Sequence, residues 1–122
     1  MDGKSPLAIK ADAFSVRIVK MVKYLNANGD RDMKPLYSQI LRSGTSISAN
    51  IGEAQFAQSK ADFITKLHIS LKEAGETRKW LSILKESECL TIPQFTSMNN
   101  DLSEVVAMLV SSINTAKNNN NK

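Results

Sequence analysis

Chemistry in this chain of 122 residues would rest on few side chains: His68, Cys89 and the carboxylates Glu53, Glu73 and Glu76. Three glutamates on helical segments suggest a carboxylate metal centre inside a helix bundle. Such centres join them to Glu-x-x-His motifs on facing helices, and the sequence has none. His68 is the only histidine and has no cysteine or carboxylate cluster at ligand spacing, so it reads as a non-ligating residue off the inner face of its helix. No Ser-His-Asp or Cys-His arrangement stands out. Cys89 falls at a helix C-terminus, where the negative end of the dipole disfavours a thiolate, so it reads as a small hydrophobe. A single cysteine closes no intrachain disulfide and builds no cysteine zinc site. There is no glycine-rich phosphate loop. The expectation is a protein that is not an enzyme and carries no metal or cofactor.

The basic residues offer a different chemistry. Sixteen lysines and arginines against 12 acidic residues leave a net charge of +4. Lys10, Arg17, Lys20 and Lys23 sweep along one flank of the first helical segment, where Asp12 is the one offsetting charge; Lys66, Lys72, Lys79 and Lys85 join them in composition on the third. Such lysines commonly just solvate a helix. In a ring of several subunits, however, a modest charge per chain is multiplied over a common surface. That surface would track phosphates rather than read bases. With few free aromatics, duplex DNA or structured RNA is the expected ligand ahead of single strands held by stacking.

Four amphipathic helical patterns must position these groups. The first opens with Ser5 as N-cap and Pro6 at the first helical position, and Leu7, Ala11, Phe14, Ile18, Met21, Val22 and Leu25 line its inner face. Gly29 is the expected stop, through a left-handed backbone. The second runs from about Pro35 to about Phe56 and sorts into three stripes: apolar Ile40, Ile47, Ile51 and Ala54; polar Arg42, Ser46, Asn50 and Glu53; and small Gly44, Ser48 and Gly52, which invite another helix close. Ser59 caps the third, with Asp62 in a weak capping box; Phe63, Leu67, Leu71, Ala74, Leu81 and Leu84 face inward, and it ends near Glu88. Leu90, Thr91 and Pro93 mark a connection. The fourth carries Phe95, Met98, Leu102, Val105, Val106, Leu109, Ile113 and Ala116. Short connections between such helices predict an all-α fold, an up-and-down antiparallel four-helix bundle forming one domain over residues 1–122, with flexible ends at about 1–5 and 117–122. No run is long enough to span a bilayer and the start has no apolar signal region, so no membrane contact and a cytoplasmic location are expected.

Two helices carry more apolar surface than a bundle needs. Ile9, Val16 and Val19 fall opposite Phe14 and Ile18, and Ile69, Glu73, Glu76 and Trp80 stack on a second face of the third helix. An exposed tryptophan and isoleucine on one stripe mark a subunit interface, with Arg42 as partner for Glu73 and Glu76 across it. Arg78 lies close to the inner face. Either its stem packs while the guanidinium snorkels out, or it forms a buried ion pair with Glu53.

The run Ser38-Gln39-Ile40, Arg42 and Ser46-Ile47-Ser48-Ala49-Asn50-Ile51-Gly52-Glu53-Ala54 resembles the "S-I-x-x-N-I-A-E" signature of the four-helix-bundle family encoded in intervening sequences of bacterial 23S rRNA genes, often labelled S23 ribosomal protein. The run Ser59 to Ile64, with Lys66-Leu67, Leu71 to Ala74, Glu76 to Arg78 and Trp80-Leu81, is similar to that family's third helix. Gly52 departs from the alanine usual there. The resemblance implies a barrel-like homopentamer without enzymatic activity. The chain is also similar to the accessory protein of diversity-generating retroelements, a basic pentamer that binds nucleic acid and its reverse transcriptase. Two functions follow as expectations: a nucleic-acid-binding oligomer using Lys10, Arg17, Lys20, Lys23, Lys66 and Lys79, or a scaffold for a larger protein such as a reverse transcriptase.

Overall fold

The computed structural model describes residues 4–119. Helix α1 spans Pro6–Asn28, a 3-10 turn covers Arg31–Met33, and α2 (Lys34–Ala54), α3 (Lys60–Glu86) and α4 (Ile92–Asn119) follow. Each helix packs on the one before and after it, and α4 returns to α1. Those neighbours are the ring order of an up-and-down four-helix bundle, and no strand occurs among the described residues.

The helix starts follow the local chemistry. Ser5 Oγ accepts from the Ala8 amide at 3.1 Å, and Ser59 Oγ accepts from the Asp62 amide at 3.0 Å. The return bond from Asp62 goes to the Gln58 amide, one residue before the cap. Helix α4 begins earlier than its apolar period suggests. Thr91 Oγ1 accepts from the Gln94 amide at 3.2 Å. Gln94 Oε1 in turn accepts from the Thr91 amide at 2.9 Å, which completes a reciprocal cap. Pro93 therefore sits in the first turn of α4 rather than in a connection.

Other expectations change as well. Gly29 is extended (φ −93°, ψ −173°), not left-handed. The left-handed residue is Glu88 (φ 64°), after which the Cys89 and Leu90 amides both turn back to the Leu84 carbonyl. Of the ends expected to be flexible, Ser5 caps α1 and α4 runs through Lys117 to Asn119. The remainder of the expected flexible ends, residues 1–3 and 120–122, lies outside the described residues.

The core is one cluster through all four helices, with Phe14, Ile18, Tyr37, Ile40, Ile47, Leu67, Leu81, Leu84, Leu102, Val105 and Leu109 at its centre. Phe63, Leu71, Phe95 and Val106 are only partly buried against it. Helices α2 and α3 share the largest helix–helix contact. Small side chains line that seam, and three are buried hydroxyls: Ser43, Ser70 and Thr77. Ser70 donates to the Ile47 carbonyl at 2.8 Å. Thr77 Oγ1 stands 2.8 Å from the Glu73 carbonyl and 2.9 Å from Ser43 Oγ. Thr77 is the donor to both, its single proton shared between the Glu73 carbonyl and Ser43 Oγ. On the other side of α2, Gly44 admits Ile18 of α1, whose Cγ1 and Cγ2 lie 2.9 Å from where a Cβ would stand. No helix among the described residues is long and apolar enough to cross a membrane.

Candidate nucleic-acid interface

The basic flank of α1 divides in two. Lys10 pairs with Glu104 of α4, and that carboxylate raises the lysine pKa. Arg17 spans the same seam with bonds to Asp101 Oδ2 (2.6 Å) and Ser97 Oγ (2.8 Å). The contact between α1 and α4 is slight beside those α2 makes with α1 and α3, and these two ion pairs bridge its outer edge. Lys20 and Lys23 are different. Both are exposed, neither has an ion-pair partner among the described residues, and no carboxylate lies between Asp12 and Asp30. Their spacing of three residues puts their Cβ atoms about 5–6 Å apart on one face.

The α3 lysines stand elsewhere. Lys66 pairs with Glu53 at 3.1 Å, and Lys79 is exposed beside Ser82, Ile83 and Glu86. Helices α1 and α3 are not neighbours in the ring, so their outer faces look in different directions. Of the six basic residues expected to read phosphate, the fold brings together Lys20 and Lys23 as free charges.

The polar stripe of α2 turns inward on the chain itself. Arg42 does not wait for another subunit: it pairs with Glu73 at 3.2 Å and with Glu76, both on α3 of the same chain. The reason is phase, since residues 42, 73 and 76 flank the α2–α3 seam. The Arg42 guanidinium, helped by Trp80 Nε1 donating at 3.2 Å, holds the Glu76 carboxyl below its ordinary value, and Glu76 raises Arg42 in turn. Trp80 is half-buried by this bond and by the core rather than exposed. Ser46 Oγ donates to the Arg42 carbonyl at 2.8 Å. Asn50 Nδ2 donates to the Ser46 carbonyl at 2.8 Å. Both side chains thus bond back along their own helix. Glu53 is occupied by Lys66. Of the two readings of Arg78, the ion pair with Glu53 does not form: Arg78 donates to Asn99 Oδ1 at 2.6 Å and Ser103 Oγ at 3.2 Å on α4. Its guanidinium has reached out to the surface polar groups of its neighbour. Ile69 remains exposed.

Sequence reasoning missed the α4 partners Asp101 and Glu104, because it weighs the α1 charges only against carboxylates of their own helix. It also missed Tyr24. That residue follows Lys20 by four and shares its stripe, and it is 57% exposed. Tyr24 and Lys20 line an open groove of about 500 Å³ between the C-terminal half of α1 and the start of α4. Among the described residues, no three of the His, Cys, Asp and Glu side chains stand together as metal ligands.

A family model described as 23S rRNA-intervening sequence protein matches residues 6–111. No curated protein matches. Among solved structures, the chain is similar to a protein of unknown function from the S23 ribosomal protein family of Bacteroides thetaiotaomicron. The two are 48% identical with a TM-score of 0.84, over 88% of this chain and 97% of that one.

Proposed function

The chain belongs to the 23S rRNA-intervening sequence protein family, and on that footing we propose a non-enzymatic oligomeric bundle that binds nucleic acid, structured RNA above duplex DNA, through phosphate contacts. The observation that carries this reading is the pair Lys20 and Lys23, two unpaired cations on a stretch of α1 free of carboxylates. Lys10, Arg17 and Lys66 contribute to the field but not as free hands, since each is held by a carboxylate of its own chain.

Assembly is part of the proposal. Ile9 and Val16 are about half exposed on the outer side of α1, and Ile69 and Ile83 are exposed on α3. A homopentamer, which the family resemblance implies, would cover such residues and repeat the lysine pair around one surface. Sedimentation of the purified protein tests the oligomer, a monomer at micromolar concentration being the adverse result.

Binding is tested by fluorescence anisotropy with labelled structured RNA and duplex DNA across a salt titration. Each chain that engages both lysines adds about 1.8 to the slope of log affinity against log salt. Absence of binding at low salt overturns the reading.

A further inference from the structure

We infer that the groove between α1 and α4 is a pocket for an unpaired RNA base, with Tyr24 as its stacking platform and Lys20 and Lys23 as the phosphate contacts beside it. The inference rests on the nucleic-acid reading above and narrows its ligand from paired RNA to RNA with a base free of the stack. Stacking needs an exposed aromatic face close to cations, since the base and its phosphate arrive together. Tyr24 is 57% exposed and four residues from Lys20, which lines the same groove. Side chains at i and i+4 lie on the same helix face.

The groove itself is apolar on its floor and basic on its α1 edge. Met21, Leu90, Pro93 and Met98 line it, with Lys20 and Arg17 at the rim. Met98 and Leu90 are buried, so the floor is part of the core wall. Methionines adapt their shape to a planar guest. Charge complementarity calls for a polyanion with an apolar face, which describes a nucleotide whose base has left its helix.

Size separates this occupant from a peptide helix. Arg17, tied to Asp101 across the seam, is the α1 lining residue furthest along the chain from Tyr24. From there to Tyr24 the helix rises by about 10 Å. That length suits one or two bases. An amphipathic helix of three or four turns would need roughly 16–22 Å.

The test compares two fluorescein-labelled RNA hairpins of equal length, one fully paired and one with a two-adenine bulge, at one salt concentration. The wild-type protein should bind the bulged hairpin more tightly, on the order of ten-fold. Tyr24→Ala should lose that preference yet keep the affinity for the paired hairpin, and Tyr24→Phe should retain both. Tyr24 is exposed, so thermal melting should find the Ala variant folded. Equal affinity of wild type for the two hairpins, or a preference that survives Tyr24→Ala, overturns the base pocket and leaves phosphate binding standing. Failure to bind either hairpin at low salt overturns both. A labelled acidic amphipathic peptide that binds in a Tyr24-dependent way, while the hairpins do not, makes the groove a protein site and overturns the inference.

Discussion

Tyr37 fills the space that a side chain at Gly29 would need. A Cβ built on Gly29 would lie 2.6 Å from Tyr37 Oη and 2.7 Å from the Leu25 carbonyl oxygen. The phenol is 1% exposed and its hydroxyl has no hydrogen-bond partner among the described residues, and burial pushes its pKa up. Gly29 is therefore required for close approach at the end of α1, where the sequence suggests a glycine needed for its backbone.

Gly29→Ala is expected to lower stability by about 1–3 kcal/mol, since a backbone oxygen cannot step aside for the new methyl. Gly52→Ala should do the reverse. Nothing lies within 4 Å of a Cβ there. Alanine in a helix gains roughly 1 kcal/mol over glycine. Urea denaturation measures both. A loss of stability for Gly52→Ala would mean that another chain covers that site.

The hydroxyl pair between α2 and α3 makes a second expectation. Thr77→Val keeps the shape but takes away the donor to the buried Ser43 hydroxyl. A hydroxyl left so costs about 1–3 kcal/mol. Ser43→Ala combined with Thr77→Val should cost less than the sum of the two single changes. A double-mutant cycle by chemical denaturation reads the difference, and strict additivity would show that the two groups do not depend on each other.

Acid should release the Arg42 clamp. The folded pKa of Glu76 is lowered by Arg42 and then by Trp80, so its stabilising effect is fully present above the ordinary value of 4.5. It is lost as pH falls through the lowered folded value. Relative exposure is 48% for the Arg42 side chain and 34% for that of Glu76. Solvent screening therefore keeps the contribution of the pair small. The stability difference between wild type and Glu76→Gln should be constant near neutrality and shrink below the ordinary carboxylate pKa. A difference that persists unchanged into acid would assign the effect to packing.

The four helices are legible because apolar residues recur at helical spacing and each core stripe is long. What the pattern hides is anything decided by two distant segments. Arg17 finds Asp101 across 84 residues, and only the packing phase of α4 against α1 brings them together. The Thr91–Gln94 cap is readable in principle, since T-x-x-Q is a start signal, but Pro93 between them suggests a break instead. Glu88 is not readable: glutamate has no preference for a left-handed backbone, and the fold imposes φ 64° there. Glu88→Gly should accordingly raise stability by about 1 kcal/mol, read from the urea midpoint. The candidate site is half legible. The lysines are plain in the sequence, but which of them are free and which aromatic stands beside them depend on the neighbouring helix.

That division decides how the basic flank must be tested. Reversing Lys10, Arg17, Lys20 and Lys23 together would confuse two effects, because Arg17→Glu sets a carboxylate against Asp101 in a seam already lightly packed. Arg17→Glu alone should lower stability by about 1 kcal/mol through the lost pair. Lys20→Glu with Lys23→Glu breaks no ion pair among the described residues, so its thermal midpoint should match that of wild type. If the free lysines carry phosphate binding, this double reversal should remove RNA affinity at low salt, whereas Arg17→Ala should weaken it only modestly. Anisotropy titrations of the three variants, run beside thermal melts, separate the cases. Retained affinity in the folded double reversal would sink the α1 flank as the binding surface and send the search to Lys79 and the outer face of α3.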